Sequence, residues 1–171
     1  MKKLISGIVA VAMALSLAAC EKETKVISLS GKTMGTTYHV KYLDEGSMKA
    51  TSEKTHEEIE AILKDVNAKM STYKKDSELS RFNQNTQVNT PIEISADFAK
   101  VLAEAIRLNK VTEGALDVTV GPVVNLWGFG PEKRPEKQPT PEQLAERQAW
   151  VGIDKIALDM SAAKPTLSKA L

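Results

Sequence analysis

The sequence predicts an α+β fold of mixed strands and helices. Three observations support it. Tyr38, Val40 and Tyr42 alternate with His39 and Lys41, the two-residue period of a half-buried strand. Ile59, Ile62, Leu63, Val66 and Met70 recur at three- and four-residue steps, which is one apolar stripe of a helix. Ser95 precedes Phe98, Val101, Leu102, Ala105 and Ile106, a second one-faced helix with its own cap.

The elements follow in order. "KVISLSGKTMGTTYHVKYL" reads as two strands. "TSEKTHEEIEAILKDVNAKM" is the first helix; its acidic residues lie early and its lysines late, as the helix dipole favours. "STYKKDSELSRFNQNTQ" is polar and turn-rich, and "VNTPIEI" is a short strand. The helix capped by Ser95 stops before Gly114. Gly121-Pro122 can start a short helix through Val123, Val124 and Leu126, with Trp127 as a core anchor. "EKRPEKQPT" is a solvated loop. Thr140-Pro141-Glu142-Gln143 starts another helix, with a cap, a proline at the first position and Gln three residues after the cap. "DKIALDMS" reads as a strand, and "PTLSKAL" closes no helix or strand. No internal repeat is visible.

The first residues, "MKKLISGIVAVAMALSLAAC", join a basic start to an apolar run too short for a stable membrane span. Residues 1–19 are predicted to be a signal peptide. Leu17-Ala18-Ala19-Cys20 resembles the bacterial lipoprotein pattern, which makes Cys20 the lipidated N-terminus and residues 20–25 a polar tether. Cys20 is the only cysteine and has no disulfide partner in the chain. The expected location is the periplasmic face of a bacterial membrane, held by the lipid on Cys20. Loss of Lys2 and Lys3 takes Lys plus Arg from 23 to 21 against 22 Asp plus Glu, a net charge of −1. That balance gives no basic excess for nucleic acid, so none is expected as a partner. His39 and His56 are too few for a histidine-based metal cluster.

Three stretches carry possible chemistry. In "GKTMGTTY", Gly31 and Gly35 bracket Met34 at a strand junction, either as a tight turn or as a close approach to a ligand. In "MSTYKKDSELSRFN", Tyr73 either stacks on a planar ring or caps a helix end. Arg81 and Asn83 offer fixed hydrogen-bonding geometry, and Asp76 and Glu78 have Lys74, Lys75 and Arg81 as candidate partners. In "GALDVTVGPVVNLWGFGP", Asp117 stands in apolar company and needs hydrogen bonds. Backbone N–H groups of a turn can supply them, and so can an amino or hydroxyl group of a ligand.

These three stretches, in this order after a lipoprotein signal, resemble the FAD:protein FMN transferase family, the ApbE-type flavin transferases. The likeness covers nearly all of residues 26–171 and implies the N-terminal part of the flavin transferase fold. It further implies that FAD is the substrate and that FMN passes, with Mg²⁺, to a Thr or Ser hydroxyl of a target flavoprotein while AMP leaves. By that resemblance Met34, Tyr73, Ala115, Leu116 and Asp117 contact FAD. The family's metal-binding and catalytic segments would lie beyond Leu171, so no metal ligand or catalytic residue is expected in this chain, and residues 21–171 alone are expected to lack transferase activity. Asp154 and Asp159 do not match those segments. Two other activities fit the same likeness: an FAD-binding periplasmic lipoprotein without catalysis, and a Mg²⁺-dependent FAD pyrophosphatase.

Overall fold

A computed structural model describes residues 24–46 and 50–170. The predicted signal peptide, Cys20 and most of the tether lie outside the described residues. The chain divides into two compact units, Met1–Ala61 and Ile62–Leu171.

The first unit is built on a hairpin. Strands β1 (Lys25–Thr33) and β2 (Thr36–Asp44) pair antiparallel from Lys25↔Asp44 to Thr33↔Thr36. Only Met34 and Gly35 remain for the turn, at φ 50° and 77°. Positive φ at both central residues matches the right-handed twist of the strands, and glycine adopts it without steric cost. The alternation is as the sequence predicts: Tyr38, Val40 and Tyr42 are half-buried, while His39 and Lys41 are exposed. Gly31 pairs with Tyr38. A Cβ on Gly31 would lie 2.6 Å from the Tyr38 ring and 2.3 Å from Glu60 Oε1. The glycine thus leaves room for Tyr38 to cross its neighbouring strand and reach helix α1 (Ser52–Met70). There Tyr38 donates to Glu60 Oε1 at 2.5 Å, and His56 Nε2 lies 2.9 Å from its hydroxyl. The bond to Glu60 holds the phenol proton and pushes the Tyr38 pKa up to about 12.

Helix α1 buries less of its stripe than the pattern suggests. Ile59, Leu63 and Met70 are half-buried, but Ile62 and Val66 are exposed. At about 100° per residue the first three fall within roughly 40° of each other, and the exposed pair lies to one side of them.

The second unit packs helix α3 (Ala96–Val111) on a three-stranded antiparallel sheet. The strands are β3 (Ile92–Glu93), β4 (Ile156–Asp159) and β5 (Thr166–Lys169), in the order β3-β5-β4. Ser95 caps α3 by accepting from Phe98 N, as predicted. The core joins Phe98, Ala99 and Leu102 of α3 to Phe82, Ile94 and Leu167. Val101, expected on this face, is 56% exposed, and Ala99 takes the buried place instead. The reading of "PTLSKAL" as an unstructured end is also overturned. Its Thr166–Lys169 is the central strand, and Leu167 pairs with Ile92 on one side and Leu158 on the other.

The polar stretch after α1 is not all turn. Ser77 caps a seven-residue helix, α2 (Glu78–Gln84), and Phe82 enters the core. Glu78 takes no lysine or arginine partner among the described residues. Its two oxygens accept from the backbone N–H and the hydroxyl of Ser95 at 2.5 and 2.6 Å, which ties α2 to the start of α3. Arg81 donates to the Asp76 carbonyl. Lys169 of β5 donates to the carbonyls of Asn83 and Asn85 at the far end of α2 and lies over the Phe82 ring. Burial lowers its pKa from the ordinary lysine value. Helices α4 (Gly121–Leu126) and α5 (Pro141–Gln148) follow. The predicted start of α5 holds in full, with both bonds of the capping box between Thr140 and Gln143.

Candidate functional site

The stretch Gly114–Pro131 is shaped by how two helices end. α3 stops with paired bonds from Gly114 N to Asn109 O and from Glu113 N to Lys110 O. These are the two closures of a Schellman turn, with Glu113 in the left-handed region at φ 52°. The chain then doubles back across the helix end. Asn109 Nδ2 donates to Leu116 O at 2.8 Å, and Leu116 N donates to the Thr112 hydroxyl at 3.2 Å. Ala115 and Leu116 are thereby held on the surface with exposed side chains.

Asp117 comes next and starts a 3₁₀ turn over Val118–Val120. Its Oδ1 accepts from Thr119 N at 2.8 Å and from the Thr119 hydroxyl at 2.5 Å. That hydroxyl also accepts from Gly152 N at 2.8 Å, so one threonine joins the Asp117 turn to the loop after α5. Asp117 therefore finds its partners within a turn. Both bonds fall on Oδ1, and Oδ2 takes none among the described residues. Asp117 is the only charged residue between Gly114 and Pro131.

α4 ends in a second Schellman turn, with Phe129 N bonded to Val124 O and Gly128 N to Asn125 O. Gly128 sits at φ 75°, a conformation that would strain any side chain. The turn sends Phe129 outward, 73% exposed. Trp127, expected in the core, is 40% exposed. It caps a six-residue helix and sits where the chain leaves it, not on an inward face.

Tyr73 is 71% exposed, and its hydroxyl points at the Phe129 carbonyl at 3.5 Å, the outer limit of a hydrogen bond. This brings Tyr73 to the far end of the segment that begins with Ala115, Leu116 and Asp117. Met34 is in the other unit, on the tip of the hairpin, with its side chain exposed. The second unit thus presents an exposed phenol, a stretch of exposed small and apolar residues, and one carboxylate oxygen open to a donor. An exposed ring can stack on a planar group, and a carboxylate oxygen without a partner can accept from an amino or hydroxyl group.

The sequence reading missed the groups that hold these residues. Thr119 and Asn109 are among them, and so are the serines before α2. The signal for Thr119 is the spacing in Asp117-Val118-Thr119, where a carboxylate bonds the N–H and hydroxyl two residues on. Among the described residues no group of three or more His, Cys, Asp or Glu is placed to hold a metal ion.

Residues 34–170 match the ApbE family. The chain belongs to that family. A protein of Haemophilus influenzae named FAD:protein FMN transferase is 94% identical over all 171 residues, which make up 49% of its length. The solved flavin transferase ApbE from Vibrio cholerae superposes with a TM-score of 0.79 at 52% identity, over 86% of this chain and 46% of that one. The apo flavinyl transferase ApbE from Pseudomonas stutzeri gives a TM-score of 0.79 at 34% identity, over 87% of this chain and 48% of that one. The chain spans about half the length of the curated relatives it matches. The helices and strands described above are those of the ApbE fold, as the sequence predicts.

Proposed function

We propose that the chain serves FAD:protein FMN transfer and supplies the surface that holds FAD. The observation that carries this reading is the 94% identity, along the entire chain, with a relative named for that reaction. Tyr73, Ala115, Leu116 and Asp117 are assigned to the adenosine end of FAD. Tyr73 stacks on the ring, the exposed backbone of Ala115 and Leu116 forms a wall, and Asp117 Oδ2 accepts from an amino or hydroxyl group. Met34 is assigned to FAD by the family resemblance alone. In the reaction the acceptor Thr or Ser oxygen bonds to the phosphorus of the FMN part. The pyrophosphate P–O bond breaks, AMP leaves with the electron pair, and the acceptor proton is released. These residues contribute by orienting FAD, which makes the displacement effectively intramolecular. Mg²⁺, when bound, neutralises charge on the pyrophosphate, but the described residues do not form a site for it, and no step is assigned to them through the metal.

The place of action in this reading is the periplasmic face of a bacterial membrane, with Cys20 as the lipid anchor. The support is the Leu17-Ala18-Ala19-Cys20 stretch. No helix among the described residues is long and apolar enough to cross a membrane.

The test is to incubate the full-length protein, and residues 21–171 alone, with FAD, Mg²⁺ and an acceptor protein containing a target Thr, then measure AMP and in-gel flavin fluorescence. Residues 21–171 alone are expected to be inactive, and the outcomes that follow are those of the full-length protein. The expected result is a fluorescent acceptor and AMP in equal amounts, both abolished by a chelator. FAD binding without AMP release would assign a carrier instead. AMP and free FMN without labelled acceptor would assign a pyrophosphatase.

A further inference from the structure

Two serines are buried where alanine would pack as well. Ser77 is 1% exposed and Ser80 6%. Burying a hydroxyl is unfavourable unless it is hydrogen-bonded, so the bonds it makes identify its task. Both hydroxyls donate to one atom. Ser77 Oγ reaches the carbonyl oxygen of Ser71 at 2.5 Å, and Ser80 Oγ reaches it at 3.1 Å. Ser71 directly follows α1, whose last carbonyls have no partner within the helix. The two hydroxyls fill both lone pairs of that oxygen. The Ser71 hydroxyl in turn accepts from Tyr73 N at 3.2 Å and Lys74 N at 3.1 Å. Gln84 Nε2 and Arg81 Nη1 hold the Lys75 and Asp76 carbonyls from α2. Nearly every constraint on the loop between α1 and α2 is a bond from a polar side chain to its backbone. The loop presents Tyr73 to solvent as its one aromatic side chain, among the exposed Thr72, Lys74, Lys75 and Asp76.

We infer that Ser77 and Ser80 are positioning residues for Tyr73, fixing its loop through the Ser71 carbonyl before the ligand arrives. This rests on the reading of Tyr73 as an FAD contact. A loop held in one conformation loses less entropy on binding, so the serines act on FAD affinity without touching FAD. Ser77 also caps α2 by accepting from Ser80 N. Ser80 has no cap role, and its hydroxyl serves the Ser71 carbonyl alone. Ser80→Ala is therefore the clean perturbation, and it favours the helix by propensity.

The experiment is a double-mutant cycle on the full protein, with FAD affinity read by flavin fluorescence and folding by thermal melting. Ser80→Ala is expected to weaken FAD binding by about three- to tenfold, with turnover at saturating FAD unchanged. Ser80→Thr, which keeps the hydroxyl, is expected to bind as the unmodified protein does. Ser71→Ala, at a half-exposed position, removes the acceptor for Tyr73 N and is expected to behave like Ser80→Ala. In a Tyr73→Ala background the serine substitutions are expected to change affinity less than about twofold. An equal loss with and without Tyr73, or no loss in either Ser80→Ala or Ser71→Ala, overturns the positioning role. If Tyr73→Ala alone leaves affinity unchanged, the assignment of Tyr73 to FAD fails, and the inference falls with it.

Discussion

Thr119→Val tests whether the Asp117 turn is held as described. Valine keeps the branched shape and removes the hydroxyl. Two bonds are lost: the donation to Asp117 Oδ1 at 2.5 Å and the acceptance from Gly152 N at 2.8 Å. A bond to a charged group contributes about 1.5–3 kcal/mol and a neutral one about 0.5–1.5. Both sites are only partly buried, so water replaces part of the loss, and the net cost is expected near the low end, about 2 kcal/mol. Urea unfolding followed by fluorescence of Trp127 and Trp150 measures it, with an unchanged slope showing that the same surface unfolds. Hydrogen exchange at Gly152 should quicken, because its acceptor is gone. Thr119→Ser, which retains both bonds, should recover most of the stability. A Thr119→Val protein within about 0.5 kcal/mol of the parent, with Gly152 still protected, would show that the threonine bridge does not hold this turn.

Three further outcomes are expected. Leu167→Ala should cost about 3–4 kcal/mol in urea unfolding, since the side chain is almost fully enclosed at the centre of the core. The chain has three tyrosines, and one should ionise late by absorbance near about 295 nm. Tyr38, held neutral by Glu60, has a folded pKa of about 12, above the ordinary value of about 10. Its contribution to stability is thus complete below about pH 10 and lost as pH rises through about 12. Tyr38→Phe and Gly31→Ala should both remove the late step. Cys20→Ser should release the protein from the membrane fraction, and unchanged membrane association would exclude lipidation at that residue.

What was legible in the sequence was local. The Thr140–Gln143 capping box, the Ser95 cap and the strand alternation around Tyr38 all depend on neighbours within four residues, and all three are present. What was not legible depends on distant contacts. β5 is four residues long, and its identity as a strand comes from Ile92 and Leu158 on either side. α2 has only Leu79 and Phe82 as apolar residues, too few to show a period, and it is fastened by Ser95 and Lys169 from elsewhere in the chain. Val101 and Ala99 exchanged roles because a stripe's edge is set by the partner it packs on. Trp127 shows the same limit: a large apolar residue in a short helix has no inward face assured.

The candidate site residues were named by resemblance, and the structure supplies what resemblance does not, namely their support. Asp117 is the instructive case. Its sequence context left two roles open, a structural turn or a handle for a ligand; the geometry shows the turn, and the proposed ligand role is compatible with it. Oδ1 is fully committed to Thr119, which fixes the carboxylate plane. Oδ2 is then held at a set angle without a partner of its own among the described residues. A carboxylate free to rotate would have to be ordered by its ligand and would lose affinity accordingly. Tyr73 follows the same plan, since its loop is fastened by serines that lie beneath it and its ring remains outside. In both places polar groups that the sequence reading passed over hold the backbone; of the groups it singled out, Arg81 and Glu78 are bound within the fold, while the Tyr73 ring is exposed and Asp117 Oδ2 takes no partner among the described residues.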